Sequence, residues 1–249
     1  MTGHVLITGG GTGIGRAIAA AMAPTHAVSL VGRRAAPLDE TAADLRLARG
    51  FSADVTAPGA LASAVREAVS AFGPVTVLVA AAGISETAPV ARTSADALRR
   101  MFAVNVEGVL NAIQLVLPGM TEAGFGRIVA VASTASLKGY AYAGGYAATK
   151  HAVLGLIRSL ALETAQTGVT ANAVCPGFAD TEMTAASISN IVAKTGRTED
   201  EARAALAKNS PMGRLIAPEE VADAVAWLAG PGAASITGQA IAVAGGEVM

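Results

Sequence analysis

The 249-residue sequence has few of the residues that build disulfides, metal centres or nucleic-acid surfaces. Its one cysteine, Cys175, excludes an intrachain disulfide, and its three histidines, His4, His26 and His151, do not have the spacing of a zinc site. The 18 Lys and Arg residues are balanced by 19 Asp and Glu residues and form no basic stripe. We therefore expect neither a metal site nor nucleic acid as a partner.

Long apolar runs are also missing, since no uninterrupted apolar stretch reaches the ~20 residues that a membrane-spanning helix needs. Nothing at the start of the chain resembles a signal peptide, so we expect a cytoplasmic protein with no membrane partner. Apolar residues are nevertheless abundant, at 52% against 15% charged residues, which favours a large core and helix surfaces that are covered by other protein. Because no Pro/Gly/Ser-rich linker divides the chain, residues 1–249 are predicted to form one domain.

Short apolar runs alternate with longer segments of helical periodicity. We predict strands at residues 3–8, 27–32, 50–54, 75–80, 126–133, 169–175 and 239–244. Helices are predicted at residues 13–23, 37–48, 58–72, 95–119, 145–166, 198–208 and 218–229. This alternation is typical of the α/β class, and it indicates a Rossmann-type doubly wound parallel sheet of about seven strands with helices on both faces. Such sheets bind ligands at the carboxyl ends of their strands, so function is expected there.

A run of glycines, GGGTGIG, follows the first predicted strand from Gly9 to Gly15. Glycine inside an element costs about 0.5 to 1 kcal/mol relative to alanine, so the run needs a geometric reason. The dinucleotide pattern G-x-G-x-x-G fails at every start position. The P-loop pattern also fails, because Arg16-Ala17 stands where Lys-Ser/Thr is required, and this argues against a nucleotide hydrolase. The run predicts a phosphate-binding turn of unspecified ligand.

A tyrosine and a lysine stand four residues apart in GYAATKHAVLG. On one helix Tyr146 and Lys150 lie on the same face, where the ammonium would lower the tyrosine pKa from its usual ~10 towards that of a base active near neutral pH. The same spacing is common in helix-surface pairs without function. Ser133, at the predicted end of the fifth strand, could hydrogen-bond a substrate oxygen or serve only a turn. Asn105, among apolar residues, predicts a buried amide that needs a partner.

Taken in order and at their separations, these motifs make the chain resemble the short-chain dehydrogenase/reductase family from end to end. The cofactor motif of that family, Thr-Gly-x-x-x-Gly-x-Gly, matches Thr8, Gly9, Gly13 and Gly15. Its other motifs match, in chain order, Asp54-Val55, Asn105 with Gly108, Ser133, Tyr146 with Lys150, and Pro176-Gly177 with Thr181. One segment departs from the family, because Ala80-Ala81-Ala82-Gly83 stands where Asn-Asn-Ala-Gly is usual, and the side-chain hydrogen bonds of those asparagines are lost.

The resemblance implies an NAD(P)-dependent oxidoreductase. Tyr146 would act as the acid/base, and Lys150 would hold the tyrosine pKa down and hydrogen-bond the nicotinamide ribose. Ser133 would orient the reacting oxygen, and Asn105 would fix a helix irregularity and a proton-relaying water. Asp54 would contact the adenine amino group. The implied cofactor contacts are Gly9, Thr12, Gly13, Ile14, Gly15, Asp54, Val55, Gly83, Tyr146, Lys150, Pro176 and Thr181, the last at the nicotinamide amide.

The end of the second predicted strand bears on the choice of cofactor. An acidic residue there would accept the ribose hydroxyls of NAD and repel a 2′-phosphate. This chain has Gly32 followed by Arg33 and Arg34. Because a guanidinium can grip phosphate with two hydrogen bonds, we predict that NADP(H) is preferred to NAD(H), with Arg33 as the principal contact. The alternative is a solvated pair of arginines.

The segment 181–211 resembles the lid of family members that reduce 3-oxoacyl thioesters or oxidise 3-hydroxyacyl-CoA. The predicted substrate is therefore an acyl thioester of CoA or a carrier protein, and the alternative is a free ketone, secondary alcohol, sugar or steroid. Basic residues of the lid could hold phosphates of the thioester arm, or could only balance the acidic residues of one helix. They are Lys194, Arg197, Arg203 and Lys208, against Glu199, Asp200 and Glu201.

Two further expectations concern assembly and activity. The predicted helices at 95–119 and 145–166 are more apolar than one sheet contact requires. Because relatives pair these helices between subunits, a homotetramer is expected. A non-catalytic cofactor-binding protein is the remaining alternative, and the complete set of Asn105, Ser133, Tyr146 and Lys150 disfavours it.

Overall fold

Seven parallel strands form one sheet in the computed structural model, which describes residues 3–249. The strands are β1 Gly3–Thr8, β2 His26–Gly32, β3 Ala48–Ser52, β4 Val77–Ala80, β5 Gly126–Val131, β6 Val169–Pro176 and β7 Ala240–Val243. Their order is β3-β2-β1-β4-β5-β6-β7, and every neighbouring pair is parallel. The order reverses between β1 and β4, which opens a crevice at the carboxyl ends of those strands.

Nine α-helices lie within residues 3–249. They are α1 Gly13–Met22, α2 Ala35–Ala43, α3 Pro58–Phe72, α4 Ala95–Phe102, α5 Gly108–Glu122, α6 Gly144–Glu163, α7 Glu182–Thr195, α8 Glu199–Ala207 and α9 Pro218–Ala229. A π-helical turn, Ala103–Glu107, joins α4 to α5. Short 3-10 helices lie at Val90–Arg92, Thr134–Ser136 and Pro231–Ala233.

Both faces of the sheet are buried, because successive strand residues point to opposite sides and nearly all of them are apolar. On one face Leu6, Leu78 and Ile128 pack with side chains of α3, α5 and α6. On the other, residues such as Val79 and Val129 pack with side chains of α1, α2 and α9. The predicted doubly wound fold is therefore confirmed. This rigid frame leaves the carboxyl ends of the strands as the place where loops can build a site.

The largest difference from the predicted elements lies in the lid. The helix α7 was not predicted, although Gly196, in the left-handed conformation with φ 69°, provides the usual signal for a helix end. The helix predicted at 37–48 ends at Ala43, because β3 begins at Ala48. Local sequence features mark the start of two other helices. Thr198 and Glu201 form a capping box at the start of α8, and Pro218 begins α9.

The longest predicted helix is interrupted rather than regular. The run Ala95–Glu122 is, by length and mean hydropathy, apolar enough to cross a membrane, although it contains no uninterrupted apolar stretch of that length. Its α5 part buries Ile113, Val116 and Met120 in the core beside the sheet. Packing inside this fold accounts for the apolar character of that face.

Candidate active site

The glycine run after β1 forms a turn that only glycine can make. Gly9 leaves the strand at φ 72° and Gly13 has φ 51°, both in the region that favours glycine. A Cβ on Gly15 would lie 2.1 Å from the backbone oxygen of Gly9. This last glycine therefore allows α1 to pack closely against the strand exit.

The turn places the N-terminus of α1 at a large cavity. Thr12 precedes the helix in extended conformation, and its side chain makes no capping hydrogen bond. The first N–H groups of α1 are therefore available to an anion, as in other dinucleotide sites. The cavity has a volume of about 590 Å³. Among the predicted site residues it is lined by Gly9, Thr12, Gly13, Ile14, Gly15, Gly83, Ser133, Tyr146, Lys150, Pro176 and Thr181.

A second, smaller cleft continues from the turn towards β2 and β3. It brings together Arg33, Arg34, Asp54 and Val55, together with Gly83. The Asp54 carboxylate accepts hydrogen bonds from the backbone and hydroxyl of Thr56, at 2.9 and 2.8 Å. Those bonds, and more weakly the charge of Arg33, lower the pKa of Asp54. The two openings share Gly9, Thr12 and Gly83, so they are continuous, and both arginines are exposed beside the smaller one.

The catalytic candidates lie at the other end of the large cavity. Ser133 follows β5, and Tyr146 and Lys150 lie near the start of α6. The Lys150 ammonium lies 5.6 Å from the centre of the Tyr146 ring and donates a hydrogen bond to the backbone oxygen of Val131 at 2.9 Å. The fold therefore brings the three polar side chains into one wall of the cavity.

The pKa predicted for Tyr146 is wrong for the isolated chain. Burial raises the pKa of Tyr146 to about 12, and a hydrogen bond with Ser133 opposes this only in part. Burial also lowers the pKa of Lys150 to about 8. The Lys150 ammonium donates its hydrogen bond to the Val131 carbonyl, and burial of the phenol has the largest effect on the Tyr146 pKa. Tyr146 therefore keeps its proton at neutral pH.

Asn105 lies behind the cavity, inside the π-helical turn, and is 1% exposed. Its Oδ1 accepts a hydrogen bond from the backbone N–H of Ile84 at 2.8 Å. Its Nδ2 donates to the Ile84 oxygen at 3.0 Å and to the Thr149 hydroxyl at 3.0 Å. A single amide thus ties the segment after β4 to α6, the helix that carries Tyr146 and Lys150.

The segment that departs from the family pattern is supported in another way. The Ala81 N–H donates to the Thr8 oxygen at 3.1 Å, and the Ala82 N–H donates to the Thr8 hydroxyl at 3.3 Å. Backbone groups and one threonine therefore connect β4 to β1 without asparagine side chains. This keeps Gly83 at the cavity wall.

The rest of the large cavity is a chamber with aromatic and aliphatic walls, which the sequence did not predict in detail. Its apolar lining side chains include Tyr140, Tyr142, Phe178, Met183, Ile191 and Leu206. Tyr140 packs edge to face on Phe178, and its hydroxyl lies 2.5 Å from both the Thr134 hydroxyl and a Glu247 carboxylate oxygen. No motif links these positions, because they come from separate loops and from the end of the chain.

The lid closes over this chamber through polar contacts that the sequence did not predict. Arg203 of α8 forms an ion pair with Asp180, which precedes α7, and it does not line the cavity within the described residues. Asn190 of α7 donates a hydrogen bond to the Thr87 hydroxyl at 3.2 Å. Glu182, at the start of α7, lies near Gly13 and also lines the cavity. It was missed because α7 was not predicted.

Known proteins resemble this chain over nearly its full length. Residues 3–191 match the family model for short chain dehydrogenases. The chain is 38% identical to a putative ketoacyl reductase of Streptomyces coelicolor, over 97% of this chain and 95% of that protein. It is 37% identical to cis-4-hydroxycyclohexanecarboxylate dehydrogenase of Sinomonas cyclohexanicum, over 97% and 94% respectively. The crystal structure of a variant of actinorhodin polyketide ketoreductase with NADPH has a TM-score of 0.95 at 36% identity, covering 99% of this chain and 97% of that chain.

Proposed function

This chain belongs to the short-chain dehydrogenase family, as an NAD(P)-dependent oxidoreductase, and we propose that it interconverts a 3-oxoacyl thioester and its 3-hydroxyacyl form. The observation that carries the proposal is the charge of the cavity wall. Among the described lining residues the charged side chains are Lys150 and Glu182, and the Lys150 ammonium is already bonded to the Val131 oxygen. Because Lys150 also has to serve the cofactor and Tyr146, the described wall leaves no further cation for a free carboxylate, whereas a thioester is neutral next to its reacting carbonyl. The similarity to ketoacyl reductases supports the same substrate class.

The residues of the site divide the work of carbonyl reduction. The glycine turn and Lys150 would hold a nicotinamide cofactor, which would supply the hydride when bound. Tyr146 donates its phenolic proton to the carbonyl oxygen, and the raised pKa keeps that proton in place at neutral pH. Ser133 hydrogen-bonds the same oxygen and orients it. The phenolate that remains is stabilised by the Lys150 ammonium until solvent returns a proton. The resting protein therefore already carries, on Tyr146, the proton that reduction consumes.

Replacing Tyr146 with phenylalanine tests this mechanism. The ring still fills its place, but the proton donor is gone, so kcat for NADPH-dependent reduction should fall by about 10² to 10⁴-fold. The dissociation constant of NADPH, measured by fluorescence titration, should change little, because the phenol is only one of many cofactor contacts. A Tyr146→Phe variant that keeps full activity would exclude the mechanism.

A panel of substrates tests the substrate class. Rates of NADPH consumption would be compared for acetoacetyl-CoA, a longer 3-oxoacyl-CoA, a simple ketone, a cyclic ketone and acetoacetate. The proposal expects the thioesters to have the highest kcat/KM and acetoacetate the lowest. The second candidate is a dehydrogenase of cyclic or simple secondary alcohols, which the aromatic chamber and the likeness to a hydroxycyclohexanecarboxylate dehydrogenase favour. A cyclic ketone that exceeds both thioesters would select that candidate.

We propose that NADP(H) is the preferred cofactor, because Arg33 and Arg34 are exposed at the smaller cleft and β2 ends in Gly32 rather than in an acidic residue. A charge-assisted hydrogen bond contributes about 1.5 to 3 kcal/mol, so Arg33→Ala should lower the NADPH to NADH ratio of kcat/KM by roughly 10 to 100-fold. Arg34→Ala is the matched control and should lower the ratio less. An unchanged ratio in Arg33→Ala would refute this assignment.

We also propose a homotetramer. Leu162 of α6 is 81% exposed and Leu110 of α5 is 36% exposed, on the helices whose apolar composition predicted an interface. A contiguous exposed apolar surface is typical of faces that associate, and we expect these two helices to provide one. Sedimentation at working concentration should give the mass of four chains, and Leu162→Asp should shift it towards smaller species. A wild-type monomer would contradict the proposal.

A further inference from the structure

Tyr142 has an unusual backbone for its residue type. Among residues 3–249 it is the one non-glycine residue with positive φ, at 67°. A side chain in this left-handed region crowds the following carbonyl, which glycine avoids. Hydrogen bonds hold the loop in place, since the Ala88 N–H donates to the Tyr142 oxygen at 2.8 Å and the Ala143 N–H donates to the Tyr140 oxygen at 3.3 Å. The conformation is thus fixed by its neighbours, and glycine would suit it better than tyrosine.

The Tyr142 side chain gains little from the rest of the protein. It is 66% exposed, and its hydroxyl has no hydrogen-bond partner within the described part of the chain. Tyr140, two residues earlier, is by contrast half-buried and bonded through its hydroxyl to Thr134 and Glu247. Yet Tyr142 lines the cavity that contains Ser133 and Tyr146. Strained residues of this kind concentrate at ligand-binding sites, where the strain positions a side chain for contact.

The position of Tyr142 at the opening of the cavity indicates which part of a substrate it would contact. The reacting carbonyl must lie beside Ser133 and Tyr146, deep in the cavity, whereas the arm of an acyl thioester is long and must leave through the opening. That arm carries amide groups. An exposed tyrosine can pack its ring on such a chain and hydrogen-bond an amide with its hydroxyl.

We propose that Tyr142 is a specificity-determining residue that binds the amide-bearing arm of the acyl thioester where it leaves the cavity. The inference rests on the proposed function for the identity of the substrate. It adds a subsite that is separate from the hydride-transfer groups. The strained backbone of Tyr142 holds the ring over the opening before the substrate arrives.

Two substrates with the same acyl group isolate this subsite. Acetoacetyl-CoA carries the full arm, whereas the S-ethyl thioester of acetoacetate carries none of its amides. Tyr142→Gly should lower kcat/KM for acetoacetyl-CoA about tenfold, mainly through KM, because a large ring contact is lost. The same variant should leave the S-ethyl thioester within twofold of the wild-type value.

Matched variants separate binding from strain. Tyr142→Gly removes both the ring and the strain, so its Tm should rise by about 2 to 4 °C. Tyr142→Ala removes only the ring, so it should show the same kinetic loss without the rise in Tm. Tyr142→Phe keeps the ring and should retain most of the preference for acetoacetyl-CoA.

The outcomes distinguish this inference from the proposed function. If the wild type reduces neither thioester, the proposed function fails and the subsite fails with it. If the wild type reduces both, and the Gly and Ala variants keep the wild-type ratio of kcat/KM, only the subsite is overturned. A kinetic loss that accompanies dissociation of the oligomer in sedimentation would also overturn it, because Tyr142 would then act through assembly.

Discussion

Replacing Asn105 with alanine should destabilise the protein by more than the loss of one hydrogen bond would. The side chain is 1% exposed and makes three hydrogen bonds, two of them to the backbone of Ile84. Alanine leaves the Ile84 N–H and carbonyl without those partners inside the protein. The Thr149 hydroxyl loses less, because it still donates to the Tyr146 oxygen at 2.7 Å.

The magnitude follows from the two backbone groups. A polar group left unpaired in the interior costs about 1 to 3 kcal/mol, and because Ile84 is half-buried we take about 1 to 2 kcal/mol for each of its two groups, so Asn105→Ala should lower the free energy of unfolding by about 2 to 4 kcal/mol. Typical stabilities are about 5 to 15 kcal/mol, so the variant is expected to remain folded but to unfold at clearly lower denaturant. Urea titration followed by circular dichroism measures this directly. An unchanged m-value would show that the midpoint shift reports stability.

Asn111, in α5 just after the π-helical turn that contains Asn105, provides the control. It is half-buried, and its Nδ2 donates one hydrogen bond, to the Val55 oxygen at 2.8 Å. Asn111→Ala should therefore cost only about 1 kcal/mol. If Asn105→Ala costs no more than Asn111→Ala, the buried amide does not hold the segment after β4 and the structural argument is refuted.

Three other predictions concern charge, backbone and the end of the chain. In the folded protein the pKa of Lys150 is about 8, below its value in the unfolded chain. Burial of the ammonium therefore lowers the free energy of unfolding by its full amount below pH 8, and this loss disappears as the pH rises past the unfolded pKa. Relative to Lys150→Met, the wild type should therefore gain stability between these pH values by up to about 1.4 kcal/mol per pH unit in urea titrations, and a flat difference would contradict the burial argument. Gly15→Ala should weaken NADPH binding and lower Tm, because the new Cβ has no room beside the Gly9 backbone. The control Gly59→Ala, at an open position on α3, should not lower Tm, and equal Tm values for the two variants would refute the prediction. Glu247→Gln should lower the free energy of unfolding by about 1 kcal/mol, because an amide is a weaker acceptor for the Tyr140 hydroxyl than the buried carboxylate. An unchanged urea midpoint would refute the role of Glu247 in holding Tyr140.

Much of the fold could be predicted because local patterns are strong in this sequence. Continuous apolar runs identify strands of a parallel sheet that is buried on both faces, and all seven were located within a few residues of their observed bounds. The lid was harder. Its helix α7 buries only Thr184 and Ile188, so it has no clear apolar stripe, and Glu182 was missed with it.

The site was predicted in its residues but not in its electrostatics. Spacing places Tyr146 and Lys150 on one helix face, and the structure agrees. The pKa of a buried phenol depends on the depth of burial and on which acceptor holds the neighbouring ammonium, and neither can be inferred from spacing. The Val131 carbonyl that bonds Lys150 lies 19 residues earlier, at the end of β5.

The sequence by itself determined the family, the seven strands and most of the helices in chain order, and the residue types available at the strand ends. These follow from local periodicity, from glycines needed at fixed turns and from short motifs, all of which act over a few residues. The tertiary structure alone decided that Asn105 braces Ile84, that Glu247 anchors Tyr140, and that Tyr142 stands strained and exposed at the cavity mouth. Those relations join segments that are far apart in the chain, and their strength depends on burial, which exists only once the sheet and helices have packed.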